Sequence, residues 1–220
     1  MGVGSFLLDL LFPPKCAFCG TLTEKQDQGV CPRCRRELPW TPKLQRKADF
    51  VSGISAPLYY EGAVRQALLR YKFNGAPARG EVFGRLIAQE LRREEKTAFD
   101  VVTWAPLSKK RLRRRGYDQA QLLAEAAAKE LGLPCERLLE KVRHTPAQSG
   151  LGTPEARRAN VSGVYALSSP EGAAHRRILL FDDIITTGAT VSECARVLLL
   201  GGAESVYAAA VAVPRKEKKN

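Results

Sequence analysis

The sequence predicts an α/β fold: a mainly parallel sheet flanked by helices, preceded by a small amino-terminal module built on four cysteines. Three observations carry this. From Phe50 to Val213, short apolar runs alternate with stretches of helical periodicity, as in strands joined by crossover helices. Near the amino terminus, four cysteines are spaced C-x2-C-x11-C-x2-C. One apolar run ends in two adjacent acids and a small-residue loop, which puts polar chemistry at a strand's carboxyl end, where open α/β sheets bind ligands.

The chain has 220 residues, of which 45% are hydrophobic. That suits one full domain plus a small appendage and excludes a disordered chain. The expected division is a zinc module over 1–42, an α/β domain over 50–214 and a charged tail over 215–220. Thirty-five Lys and Arg against 23 Asp and Glu give a formal charge of +12, which favours an anionic partner. No apolar run approaches the ~20 residues needed to cross a bilayer. The run Phe6 to Phe12 carries Asp9, and neither a basic region before it nor a small-residue cleavage site after it marks a signal peptide. A cytoplasmic protein without membrane insertion is expected.

The elements follow in order. Cys16-Ala-Phe-Cys19-Gly20 and Cys31-Pro-Arg-Cys34 form two knuckles that can present four thiolates to one tetrahedral ion. Structural zinc is the expected occupant; an iron–sulfur centre or a redox pair are the competing readings. Pro39, Pro42 and the polar run Lys43 to Lys47 look like a linker. Val51 to Tyr60 reads as one bent strand or two short ones, broken near Gly53 and Pro57. Ala63 to Tyr71 is a short helix, and Phe83, Leu86, Ile87 and Leu91 mark a second. Asp100 to Trp104 is a buried strand. Asp118 and Gln121 resemble a capping box before a helix with Ala120, Leu123, Ala124, Ala127, Ala128 and Leu131 on one face. Arg177 to Phe181 is a strand, Ala189 to Leu200 a helix, and Ser205 to Val213 a last buried strand. Cys135, Cys194, His144 and His175 stand alone and receive no function.

The most informative stretch is Ile178-Leu-Leu-Phe-Asp182-Asp183-Ile-Ile-Thr186-Thr187-Gly188-Ala189-Thr190. Backbone amides where the loop enters a helix can cradle a 5′-phosphate. The hydroxyls of Thr186, Thr187 and Thr190 add donors, with Gly188 and Ala189 shaping the turn. Asp182 and Asp183 can accept hydrogen bonds from ribose hydroxyls, directly or through Mg²⁺. No Walker loop and no G-x-G-x-x-G occurs.

A second stretch follows another strand end. Six of the seven residues from Lys109 to Arg115 are basic. It reads as a loop in which Lys109, Lys110, Arg111 and Arg115 repel one another unless an anion, such as a nucleic-acid backbone, lies between them. The competing reading is a solvated basic turn. A third stretch, Gln148 to Asn160, is polar and broken by Gly150, Gly152 and Pro154, and reads as a mobile loop able to close over a ligand.

The acid pair and the T-T-G-A-T loop resemble the phosphoribosyl-pyrophosphate (PRPP) motif of type I phosphoribosyltransferases. With F-P-P-K-C-x-x-C-G, C-P-x-C, the Tyr71-Lys72 element, K-R-x-R-x-R-G-Y-D-Q-A, Q-x-x-L and R-x-x-N, most of the chain resembles the ComF family of competence-associated phosphoribosyltransferase-like proteins. Tyr117 and Asp118 depart mildly, standing where that family commonly has Phe and Asn. The resemblance implies a type I phosphoribosyltransferase core, with Lys109 to Arg115 where the pyrophosphate loop lies, and Zn²⁺ and PRPP-bound Mg²⁺ as cofactors. It also implies a role in DNA uptake during natural transformation, with single-stranded DNA, PRPP or a phosphorylated nucleotide, and competence-machinery proteins as partners. Two alternatives stay open. One is an active transferase, with Asp182 and Asp183 catalytic and an unidentified nitrogen acceptor. The other is a non-catalytic adaptor that senses PRPP or a nucleotide.

Overall fold

The computed structural model describes residues 13–42, 46–73, 75–96, 98–143, 162–169 and 171–215. The expected closing loop over Gln148 to Asn160, His144 and most of the charged tail lie outside them.

The first strand region is two short strands, β1 (Ile54–Ser55) and β2 (Leu58–Tyr59), separated at Pro57. Helices α2 (Gly62–Phe73) and α3 (Arg79–Arg93) follow, after the one-and-a-half-turn α1 (Pro32–Glu37) of the cysteine module. Strand β3 is Val101–Trp104. The basic stretch, expected as a loop, is a helix, α4 (Lys109–Arg115). Ser108 caps it by accepting from the Arg111 amide, and Gly116 ends it in the left-handed region at φ 83°, so the boundaries follow ordinary capping chemistry. Helix α5 is Gln119–Leu131, and the hairpin strands are β4 (Leu139–Lys141) and β5 (Tyr165–Leu167). Then come β6 (Arg177–Phe181) and α6 (Ala189–Leu200). The last strand is also interrupted, into β7 (Ser205–Ala209) and β8 (Ala212–Val213). The break at Ala210 and Val211 matches the one between β1 and β2, since Ser55 pairs with Ala209 and Leu58 with Ala212.

The central sheet is parallel with order β1-β7-β6-β3. Alternation along β6 sends Leu179 and Phe181 to one face and Ile178 and Leu180 to the other, all fully buried. The first face packs on α2, α3 and α5; the second packs on α6 and the β4–β5 hairpin. In register, Trp104 pairs with Phe181, so the residues after β3 and those after β6 emerge side by side.

The cysteine module docks on α2 and α3. Phe18, between the first two cysteines, is fully buried with its ring 5.5 Å from Phe83. Arg70 donates to the Phe18 carbonyl, and Arg85 donates to the Gln28 carbonyl at 3.4 Å. Gly29, at φ +80°, lies under Val82 so closely that a Cβ would stand 2.5 Å from the valine Cγ2. Parts of two expected segments are fixed rather than loose. Arg46, in the linker, donates to the carbonyls of Ile185, Thr186 and Pro214. Arg215, the first tail residue, pairs with Glu61 at 2.7 Å and lies 4.1 Å over the Tyr59 ring.

Candidate metal centre and anion cleft

Both knuckles form from backbone bonding. Thr21 O accepts from the Cys16 amide at 2.8 Å, and Cys16 O accepts from the Gly20 amide at 2.9 Å, with Gly20 at φ +81°. The Cys31 sulfur caps α1 by accepting from the Cys34 amide at 3.5 Å. The four sulfurs of Cys16, Cys19, Cys31 and Cys34 lie within 4.8 Å of one another. The Cys19–Cys31 separation is 3.7 Å, close to the ~3.8 Å edge of a tetrahedron with 2.3 Å Zn–S bonds. Burial, then the neighbouring sulfurs, push the Cys34 thiol well up, so four thiolates need a cation among them. The donor set fits a closed structural zinc site, and it is the only such cluster among the described residues.

The second site lies where β3 and β6 end. Asp182 and Asp183 follow Phe181 directly. The Asp182 amide donates to Ala209 O at 3.0 Å, and Asp183 O accepts from the Val211 amide at 3.2 Å, so the end of β7 and the break after it fix the turn. Asp182 Oδ1 accepts from the Asp183 amide at 2.8 Å. Its surface is only partly covered, yet the carboxyl sits deep among other groups. Burial first, then the Asp183 carboxylate, hold it well above the usual carboxylate range, while Lys72 pulls the other way. Asp183 is 4% exposed. Its Oδ2 lies 2.8 Å from Lys72 Nζ but has no aligned hydrogen-bond donor. The contact is an ion pair that leaves a buried lone pair for a hydroxyl or a metal.

Gly188 caps α6 at φ +82°, and a Cβ there would stand 2.8 Å from Ala48 Cβ. The linker thus packs directly on the threonine loop. Thr187 Oγ1 accepts weakly from the Ala189 amide at 3.4 Å. Beside it opens a cleft of about 140 Å³ lined by Lys47, Ala48, Asp49, Thr187, Ala189 and Ser192.

Across the strand ends stands α4. Lys109 and Lys110 are exposed, while Arg111 and Arg115 are half-buried. Burial lowers the Arg111 pKa. Asp118 clamps the helix at its base: one oxygen accepts from the Leu107 amide at 2.8 Å, the other from Ala120 at 3.1 Å and Gln121 at 3.4 Å. Tyr117 donates to the Tyr71 carbonyl, and Tyr71 donates to Gln119 O at 2.8 Å. Tyr117 and Asp118 therefore tie the end of α4 to α2 and α5.

Sequence reasoning missed three residues. Lys72 belonged to a recognised element, but nothing in the sequence paired it with Asp183. Arg46 was hidden in a polar run. Lys141, at the end of β4, lies 5.0 Å over the Tyr165 ring and donates to its hydroxyl at 3.3 Å. Burial, then Arg111, bring Lys141 down to about 8.

Residues 7–46 match the double zinc ribbon domain model. Competence protein ComFC of Streptococcus pneumoniae is 30% identical over 195 residues, covering 87% of this chain and 84% of its own. The chain belongs to the ComF family. Competence protein F of Haemophilus influenzae is 28% identical to this ComF-family chain over 199 residues, 88% of this chain and 82% of its own. A fainter likeness joins it to the glutamine PRPP amidotransferase of B. subtilis, solved with ADP and GMP, at 22% identity and TM-score 0.42 over 64% of this chain and 30% of the other. Among the described residues, no helix is long and apolar enough to cross a membrane.

Proposed function

We propose that this ComF-family protein binds PRPP, or a related phosphorylated nucleotide, in the cleft between β3 and β6 and handles incoming single-stranded DNA in the cytoplasm during DNA uptake. The observation that carries the reading is the register of the two strand ends: it sets the acids and threonine loop of β6 beside the basic helix that follows β3. A ligand with a phosphate at one end, ribose hydroxyls in the middle and a pyrophosphate at the other matches that order of groups.

Gly188, Ala189 and Thr190 offer amides to the 5′-phosphate, with Thr186 and Thr187 hydroxyls beside them. Asp182 and Asp183 take the ribose hydroxyls, and the unaligned Asp183 Oδ2 fits a Mg²⁺ shell. Mg²⁺, when bound, neutralises pyrophosphate charge. Lys109, Lys110, Arg111 and Arg115 meet the pyrophosphate or a DNA phosphate. The family's competence role and the charge of +12 support the DNA reading, with competence-machinery proteins as partners.

A second reading, an active transferase, is favoured by the completeness of the acid pair and threonine loop. An acceptor nitrogen forms a bond to C1′, the C1′–oxygen bond breaks, and its electron pair leaves on pyrophosphate, whose growing charge the α4 cations stabilise. Pyrophosphate release in an acceptor screen separates the two readings.

The test is anisotropy of a labelled single-stranded oligonucleotide across a salt series, with and without Mg²⁺ and PRPP. Binding that weakens steeply with salt and is altered by PRPP supports the proposal. No binding at low salt overturns the DNA reading.

A further inference from the structure

We infer that Phe73, backed by Arg115, is a stacking platform for an unpaired nucleobase at the rim of the cleft. Phe73 is the last residue of α2 and is 65% exposed. Arg115, at the end of α4, lies over its ring with the guanidinium carbon 5.1 Å from the centroid. The guanidinium is steadied from behind by a hydrogen bond to the Gln119 side chain. One ring face is thus covered by a held cation, and the ring as a whole remains open to solvent.

An exposed aromatic beside a dense cationic helix has a definite complement. The cation over one face holds the ring in place by cation–π attraction and leaves stacking to the other face. The flanking side chains of Arg113 and Arg114 are exposed and can follow a phosphate backbone. An aromatic step set in a positive track is how single strands are held without regard to sequence. In a duplex both faces of a base are already stacked, whereas an unpaired base carries the free π-face and the phosphate charge that this ring and its basic flank complement. Of the other aromatics, Phe18 is buried in the core and Tyr117 is bonded to the Tyr71 carbonyl, while the exposed Trp40 and Phe50 belong to the segment before β1 and not to the rim formed by α2 and α4.

The placement also joins the two activities. Lys72, the preceding residue, pairs with Asp183 inside the cleft. Adjacent residues of one helix turn therefore face the acid pair and the base platform, so ligand in the cleft and DNA on the rim act on the same segment.

This inference rests on the DNA reading above, and its test separates the two. Affinities of wild type, Phe73→Leu and Phe73→Trp are measured for an oligothymidylate and for an abasic strand of equal length. Phe50→Ala, which alters another exposed aromatic (54%), is the control. Wild type is expected to prefer the thymidylate. Phe73→Leu is expected to lose about tenfold on that strand, with no change on the abasic strand and no change in salt slope. Phe73→Trp is expected to restore the preference, and Phe50→Ala to leave it intact. Salt-sensitive binding that Phe73→Leu leaves unchanged overturns the platform and spares the DNA reading. No binding by wild type at low salt overturns both.

Discussion

Replacing Lys72 with Met tests the electrostatic logic of the cleft. Lys72 Nζ is 2.8 Å from Asp183 Oδ2, with the lysine side chain 21% exposed and the aspartate side chain 6%. Removing the cation leaves a nearly buried carboxylate beside a second one. Breaking a buried pair from one side costs about 3–5 kcal/mol. Partial solvation of Lys72 puts the expected loss at the lower end, about 3 kcal/mol. The reverse change, Asp183→Asn, costs less, because a lysine can reach solvent along its flexible stem. The double variant removes both charges and is expected to recover about 2 kcal/mol of the summed losses. Urea unfolding reads this directly: with a slope near 2 kcal/mol per molar, Lys72→Met lowers the midpoint by roughly 1.5 M. Added Mg²⁺ is expected to stabilise Lys72→Met more than wild type, since the missing positive charge can be supplied from solution. A midpoint shift below about 0.3 M, or strict additivity in the double variant, would refute the pairing as the element that holds the acids in place.

Four further outcomes follow from the same geometry. Phe18→Ala empties a fully buried aromatic site against Phe83 and is expected to cost about 3–5 kcal/mol in chemical denaturation, although Phe18 lies in the zinc module. Zinc withdrawal by a strong chelator is expected to lower the melting temperature of the sheet domain and not just unfold a loop, because the module shares a core with α2 and α3; an unchanged melting curve contradicts this. Gly188→Ala meets both a left-handed φ and Ala48, so it is expected to cost about 1–2 kcal/mol and to weaken PRPP binding measured calorimetrically. Lys141 falls from the ordinary 10.5 to about 8 in the folded state. Between those values the unfolded chain binds more protons, so the stability of the wild type rises with pH. Lys141→Met is expected to flatten that rise, its advantage over wild type being full below pH 8 and gone above about 10.5.

Much of this molecule was legible from its sequence, and for identifiable reasons. Helix α6 begins and ends where periodicity and Gly188 put it. The two knuckles and the acid pair were legible because their chemistry is local in sequence. What escaped was either a balance of local effects or a long-range pairing. Lys109 to Arg115 follows a strand end and reads as a loop, and its like charges repel at helical spacing. The Ser108 cap, the Gly116 end and the Asp118 clamp outweigh that repulsion. The interruptions in β1–β2 and β7–β8 each look minor alone, and only pairing explains why they coincide. The Lys72–Asp183 contact spans 111 positions of chain (183 − 72), and Arg46 reaches across a comparable distance to the threonine loop. Neither leaves a local pattern to read.

The central claim is that the β3–β6 strand ends bind a phosphorylated ribose carrying pyrophosphate. Calorimetric titration of Mg²⁺–PRPP into the zinc-loaded full chain, alongside Asp183→Asn, tests it most directly. The account predicts saturable one-site binding by the wild type and at least a tenfold weaker response from the variant, the loss of one charge-assisted contact. Absence of binding by the folded wild type, or equal affinity in the two proteins, would contradict it.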